Sequence, residues 1–161
     1  MKIGWTNGVV PLLGSMGLEQ VARHIAVPDH APWSRVLLLL DPEAERIPLP
    51  ALQLACRLVG RGGELHVLVP VVLPLAVPLE APPGDETERA AACLQEAERW
   101  AGARGVAVVG RLRRGRARRG LLRETVRELG ADAVVLPGDA AALRDLAADV
   151  APAQPIVVPG C

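Results

Sequence analysis

The chain of 161 residues contains no phenylalanine and no tyrosine, and its aromatic residues are Trp5, Trp33 and Trp100. Proteins that bind single-stranded nucleic acid use aromatic rings as platforms on which the bases stack. The formal net charge is zero, so the chain as a whole does not attract a polyanion. Both observations argue against a nucleic-acid-binding protein.

Nucleophilic and metal-binding residues are also scarce. There are two serines and three threonines, and none stands in a G-x-S-x-G turn. Cys56, Cys93 and Cys161 have no C-x-x-C spacing, which argues against a zinc site or a disulfide framework and favours a reducing cytoplasm. His66 lies within a predicted strand, where an imidazole is more often packed than catalytic. We therefore expect no catalytic residue, no metal site and a protein that is not an enzyme.

Long membrane-spanning runs are missing as well. The most apolar stretch, VLVPVVLPLAVPL, is 13 residues long and contains three prolines, so it cannot cross a bilayer as a hydrogen-bonded helix. The first residues, MKIGWTNGVVPLLGS, carry one lysine and an apolar run that Pro11 interrupts, which does not fit a signal peptide. We expect no membrane insertion and a cytoplasmic location.

Short apolar runs alternate with helical patterns from residue 35 onward. Strands are predicted at 35–40, 63–69, 105–110, 131–136 and 155–158. The helices between them are predicted to end at Gly60, to begin with a cap at Asp85 or Thr87, to end at Gly130, and to span 139–150. This alternation predicts one α/β domain over residues 35–161, an open five-stranded parallel sheet with helices on both faces. Residues 1–34 are predicted to form an N-terminal arm with a short strand or turn and a helix.

Open parallel sheets bind ligands beyond the carboxyl ends of their strands, where the strand order reverses. In a sheet of order 3-2-1-4-5, Asp41 follows the first strand and Pro137-Gly138 follows the fourth. The Asp41 carboxylate can accept a ribose hydroxyl, and Gly138 leaves room for a ligand beside the backbone. The alternative is that both are ordinary strand-ending turns.

The neutral chain concentrates six arginines in GRLRRGRARRG, residues 110–120. Gly110-x4-Gly115 has the glycine spacing of a P-loop, but Arg116 and Ala117 replace its lysine and its hydroxyl residue, which argues against a nucleotide triphosphatase. Two interpretations stay open. The run is a solvated turn that leads into the third helix, or Arg113, Arg114 and Arg116 form a peripheral anion site at that helix's N-terminus.

Over residues 35–161 the chain resembles the universal stress protein family. The resemblance rests on RVLLLLD, LVGRGGELHVLV, ELGADAVVLPG and QPIVVP, which occur in that order. It implies a flavodoxin-like sheet of order 3-2-1-4-5 and a homodimer formed through the last strand, at Ile156, Val157 and Val158. An apolar edge strand without a partner is otherwise prone to aggregation.

The chain departs from the family pattern at the motif that binds the phosphates of ATP. ATP-binding members follow the fourth strand with G-x2-G-x9-G-[ST], whereas here Gly138 is followed by DAAALRDLAADVAPAQP. The resemblance therefore implies a divergent, non-enzymatic member that does not bind ATP in the usual way. Such a protein would act in stress response or regulation through dimerisation and through a protein partner or a small ligand. The alternative is a sensor that binds ATP or AMP weakly, as its only cofactor, at Asp41, Val69, Pro70, Pro137 and Gly138.

Overall fold

The computed structural model describes residues 33–158, so most of the predicted N-terminal arm, and Cys161, lie outside it. Strands and helices alternate along this part of the chain. In order, they are β1 (Trp33–Leu39), α1 (Leu49–Leu58), β2 (Val59–Val72), α2 (Asp85–Gly102), β3 (Val108–Gly115), α3 (Arg118–Leu129), β4 (Ala133–Pro137), α4 (Ala140–Asp149) and β5 (Gln154–Val158).

The five strands form one parallel sheet of order β3-β2-β1-β4-β5, which confirms the predicted topology. β1 is the central strand. Leu38 pairs with Val67 of β2 on one side and with Val135 of β4 on the other. The strand order therefore reverses between β1 and β4, and the carboxyl ends of these two strands flank a crevice.

The run VLLLL of β1 is buried on both faces of the sheet because helices cover both. Val36, Leu38 and Leu40 pack in the cluster that contains the apolar sides of α1 and α2. Leu37 and Leu39 point the opposite way, into the cluster built by α3 and α4. Burial on both faces is what a continuous apolar run in a parallel strand predicts.

Several predicted boundaries are wrong, among them that of β2, which spans Val59–Val72 instead of 63–69. β3 spans Val108–Gly115 instead of 105–110, because it pairs with β2 residue by residue as far as Val72 and Gly115. α1 ends at Leu58 and not at Gly60, since the β-branched Val59 is already extended and pairs with Trp33. The N-cap of α2 is Gly84, with no side-chain hydrogen bond, so Asp85 and Thr87 lie inside the first turn and do not cap it.

α3 ends as predicted. Gly130 follows Leu129 in the left-handed conformation, with φ of 58°. Its backbone N–H donates to the carbonyl groups of Arg127 and Val126, which are left without partners where the helix ends. None of the helices within residues 33–158 is long and apolar enough to cross a membrane.

Candidate functional site

A cleft of about 620 Å³ opens beyond the carboxyl ends of β1 and β4. Its floor includes Pro137, Gly138 and Val158, where β4 and β5 end. Its rim is the loop between β1 and α1, which contributes Asp41 and Arg46. The structure thus brings Asp41, Pro137 and Gly138 together at one cleft, at the place where the sheet topology predicts a ligand.

Asp41 is exposed, and its carboxylate is held by its own loop. Its Oδ1 atom accepts a hydrogen bond of 2.9 Å from the backbone N–H of Glu43. This is the local turn that aspartate favours after a strand, and it leaves the second carboxylate oxygen available to accept from a ligand. Asp41 is therefore both a turn residue and a hydrogen-bond acceptor of the cleft.

Gly138 has a conformation that only glycine adopts readily, with φ of +139°. Its backbone N–H donates to Val158 O at 2.9 Å and so continues the pairing of β4 with β5. A Cβ atom at this position would lie 3.2 Å from Leu143 Cδ1. A side chain at this position would therefore press against the buried Leu143 as well as strain the backbone.

The N-terminus of α4, next to this floor, already carries a negative charge. Asp139 is its N-cap, and the carboxylate accepts from the backbone N–H of Ala141 at 3.4 Å. The residues of the first turn are alanines and Leu143, which offer neither a hydroxyl nor a positive charge. A phosphate group at this helix end would meet a carboxylate where phosphate sites present free N–H groups.

The other two predicted ligand residues lie elsewhere. Pro70 lines a smaller cavity of about 120 Å³ that also includes Asp41 and Arg118. Val69 is fully buried in the core beneath α1 and α2 and does not line the cleft. Sequence reasoning missed the apolar wall formed by Ile47 and Leu49, because the loop before α1 has no periodicity that indicates its path.

The arginine run is not a solvated turn, since Arg111, Arg113 and Arg114 belong to β3. Arg113 extends toward α3, where it donates to Thr125 Oγ1 at 3.1 Å and forms ion pairs with Glu124 and Glu128. Alternation along the strand sends Arg114 to the opposite face of the sheet.

On that opposite face, Arg114 Nη1 donates to Ala81 O at 2.7 Å. Arg116 follows the strand and donates to the carbonyl groups of Leu73 and Pro74. These two arginines therefore hold the proline-rich loop against the edge of the sheet. The structure does not bring the guanidinium groups of Arg113, Arg114 and Arg116 to a common point.

His66 is packed inside the sheet with 4% of its surface exposed. Its Nε2 atom lies 3.1 Å from Glu64 Oε2, and its Nδ1 atom accepts from Arg111 Nε at 3.4 Å. Burial lowers the pKa of this imidazole, and the hydrogen bond to Glu64 opposes that effect. Within residues 33–158, no group of histidine, cysteine and acidic side chains could hold a metal ion.

The last strand is an edge of the sheet in the described part of the chain. Ile156 and Val158 are 2% exposed and pack in the core beneath α1 and α2, while Val157 is half-buried on the other face. The backbone groups of Gln154 and Val158 bond to the chain at β4. Because backbone groups alternate along a strand, the backbone groups of Pro155 and Val157 point away from β4, toward the open edge of the sheet. Val157 supplies an N–H group at this edge, since proline has none.

No family model matches the chain, and no curated protein matches it in sequence. Solved structures do match its fold. A protein of the universal stress protein family from Burkholderia pseudomallei is 22% identical, with a TM-score of 0.59, over 79% of this chain and 96% of that one. A universal stress protein in complex with cAMP is 18% identical, with a TM-score of 0.58, over 79% and 97%.

A third match is the universal stress protein from Archaeoglobus fulgidus in complex with dAMP. It is 19% identical, with a TM-score of 0.58, over 76% of this chain and 95% of that one. Likeness at such low identity establishes the fold and nothing finer. In residues 33–158 this chain has the α/β fold of the universal stress proteins.

Proposed function

We propose that this chain is a non-catalytic regulatory domain that binds a nucleoside or a nucleoside monophosphate in the cleft between β1 and β4. The observation that carries the proposal is the position of Asp41 and Gly138 at one cleft of about 620 Å³, at the reversal of strand order. Sites of this size and position are typical for small ligands in open α/β sheets.

The chemistry of the lining favours a ligand with hydroxyl groups, an apolar ring and little charge. The second carboxylate oxygen of Asp41 can accept a hydrogen bond from a hydroxyl group, such as those of a ribose. Leu49, which is 45% exposed, and Ile47 offer apolar surface to a base. The negative charge of Asp139 at the N-terminus of α4 would repel a polyphosphate. Arg46 is the basic residue among those that line the cleft.

The comparisons add support of the same kind. Two universal stress proteins of this fold are described in complex with cAMP and with dAMP, and each of these ligands carries a single phosphate. A monophosphate requires less positive charge than a triphosphate, and the guanidinium of Arg46 can balance it. The proposed order of affinity is therefore AMP, cAMP and adenosine above ATP.

Thermal unfolding with adenosine, AMP, cAMP and ATP, each at about 1 mM, tests this proposal, because a ligand that binds the folded state raises the melting temperature. AMP should raise it more than ATP, and Asp41→Asn should reduce the shift. Asp145→Asn, an exposed acid on α4, is the matched control and should keep the shift. No shift with any nucleotide, or a larger shift with ATP than with AMP, would contradict the proposal.

A second proposal is a homodimer through the outer edge of β5. The supporting observation is the contrast between the two edges of the sheet. β3 carries Arg111, Arg113 and Arg114, and charged residues protect an edge from pairing with another chain. β5 has the sequence QPIVV, with no charged residue, so its exposed backbone is free to pair with a second copy.

Val157→Pro is the sharp test of that edge. It removes the outward N–H of β5 and leaves the inward hydrogen bonds to β4 intact. Sedimentation velocity should then detect a monomer, whereas Val157→Ala, which keeps the N–H, should still form a dimer. If the unaltered chain is monomeric at about 100 µM, or if Val157→Pro stays dimeric, β5 is not the interface.

A further inference from the structure

Another cavity, of about 310 Å³, lies between the carboxyl ends of α1 and α2. Helices in this fold run antiparallel to their strands, so this cavity is at the opposite end of the sheet from the cleft of β1 and β4. The described residues that line it include no acid. They are Gln53, Cys56 and Arg57 of α1 together with Trp100, Arg104 and Val106.

Two contacts orient the exposed Arg104 guanidinium at this cavity. It stacks on the indole of Trp100, with its central carbon 3.4 Å from the ring centroid. Its Nη1 atom donates to Trp100 O at 3.0 Å, so one of its five N–H groups is used and the group cannot rotate freely. Its other N–H groups have no acceptor among residues 33–158.

Arg57 faces the same cavity from the other helix. Its side chain is exposed and makes no hydrogen bond or ion pair within residues 33–158. Arginine is common in the last turn of a helix because the helix dipole attracts a positive charge there. That explanation covers Arg57, in the last turn of α1, but not Arg104, which lies beyond the end of α2. Neither guanidinium group has a carboxylate partner among the residues that line the cavity.

The apolar side of the cavity determines which anion fits. The indole of Trp100 and the side chain of Val106 are half-buried, and the Cys56 thiol is half-buried beside them. An inorganic anion would leave this apolar surface without a contact, whereas the ring of a small organic acid would cover it. Guanidinium groups bind carboxylates with two parallel hydrogen bonds, which adds affinity and orientation.

We propose that this cavity binds a small organic carboxylate with an apolar body. Arg57 and Arg104 hold the carboxylate, and Val106 packs against the body together with the part of the Trp100 side chain that lines the cavity and is not covered by Arg104. The site is independent of the nucleoside cleft, since it shares no residue with it. Benzoate is a suitable probe because it combines one carboxylate with one apolar ring.

Isothermal titration with benzoate at low salt tests the proposal, with benzamide as the neutral molecule of the same shape. Benzoate should bind with a dissociation constant of about 1 mM, and benzamide at least about tenfold more weakly. Arg57→Gln and Arg104→Gln should each weaken benzoate by about tenfold. Arg144→Gln, an exposed arginine on α4, should leave its binding unchanged. Equal binding of benzamide, unchanged binding by Arg57→Gln, or no saturation below about 20 mM would overturn the proposal.

Alkylation of the thiols locates the ligand without any substitution. Burial raises the pKa of both Cys56 and Cys93, so both should react slowly with iodoacetamide. Cys93 does not line this cavity and serves as the internal control. Peptide mass spectrometry should find that benzoate slows alkylation of Cys56 and not of Cys93. Equal slowing of both thiols, or of neither, would overturn the assignment to this cavity.

Discussion

The same substitution should affect stability differently at two neighbouring arginines of β3. Arg113 and Arg114 lie on opposite faces of the edge strand. Methionine keeps most of the apolar stem of arginine and removes the guanidinium group, so each Met variant isolates the contribution of that group. We expect Arg113→Met to destabilise the fold and Arg114→Met to leave its stability unchanged or to raise it.

Three of the five N–H groups of Arg113 have acceptors in α3. The guanidinium group donates to Thr125 Oγ1 at 3.1 Å and forms ion pairs of 3.1 Å with Glu128 and 3.5 Å with Glu124. The two glutamates are more than half exposed, so solvent screens these pairs and each contributes well under about 1 kcal/mol. With the hydrogen bond to Thr125, the free energy of unfolding should fall by about 1–2 kcal/mol in Arg113→Met.

For Arg114, the cost of buried N–H groups without partners exceeds the gain from its hydrogen bond. Its bond of 2.7 Å to Ala81 O contributes about 1 kcal/mol, but its buried Nε and Nη2 atoms have no hydrogen-bond partner. Each buried donor without a partner costs about 1–3 kcal/mol. Replacing such a partly paired buried charge by an apolar side chain of similar size is often neutral or stabilising.

Urea unfolding followed by circular dichroism measures the difference, provided that the slope m is the same in all variants. Arg99→Met is the control, since Arg99 is an exposed helix residue whose substitution should change stability by less than about 0.5 kcal/mol. The reasoning would be refuted if Arg114→Met lost as much stability as Arg113→Met. That result would mean that the orphaned N–H groups of Arg114 have partners in solution.

The fold could be predicted from sequence because its signals are local and repeated. The apolar run of β1, the left-handed Gly130 after α3 and the alternation of strands and helices each indicate an element without reference to the rest. The extent of β3 could not be predicted in this way. It is set by the length of β2, against which it pairs, and by acceptors in α3 and in the loop before α2.

Some residues of the candidate site could be predicted from the sequence, and others could not. Asp41 and Gly138 follow directly from topology, because any residue after β1 or β4 must lie at the crevice. The family resemblance predicted that Val69 lies at the cleft. Val69 instead lies on the same face of β2 as Leu65 and Val67, because side chains alternate along a strand, and it points into the core. The wall formed by Ile47 and Leu49 depends on how an irregular loop folds back, which residue pattern does not encode.

Two further predictions concern the interior of the sheet. Leu38 is fully buried at the centre of β1, so Leu38→Ala should lower the free energy of unfolding by about 3–5 kcal/mol, whereas Leu75→Ala, at a side chain 88% exposed, should change it by less than about 0.5 kcal/mol in the same urea assay. The last concerns His66, whose lowered pKa means that the unfolded chain binds a proton more readily than the folded one. Its contribution to stability should therefore be complete well above pH 6.5, the ordinary pKa of histidine, and should decline as the pH falls through that value. His66→Gln keeps a donor for Glu64 and an acceptor for Arg111, so its stability near pH 7.5 should be close to that of the unaltered chain. Urea midpoints measured from pH 7.5 to 5.5 should fall less steeply for His66→Gln, and parallel curves would mean that the buried imidazole does not resist protonation.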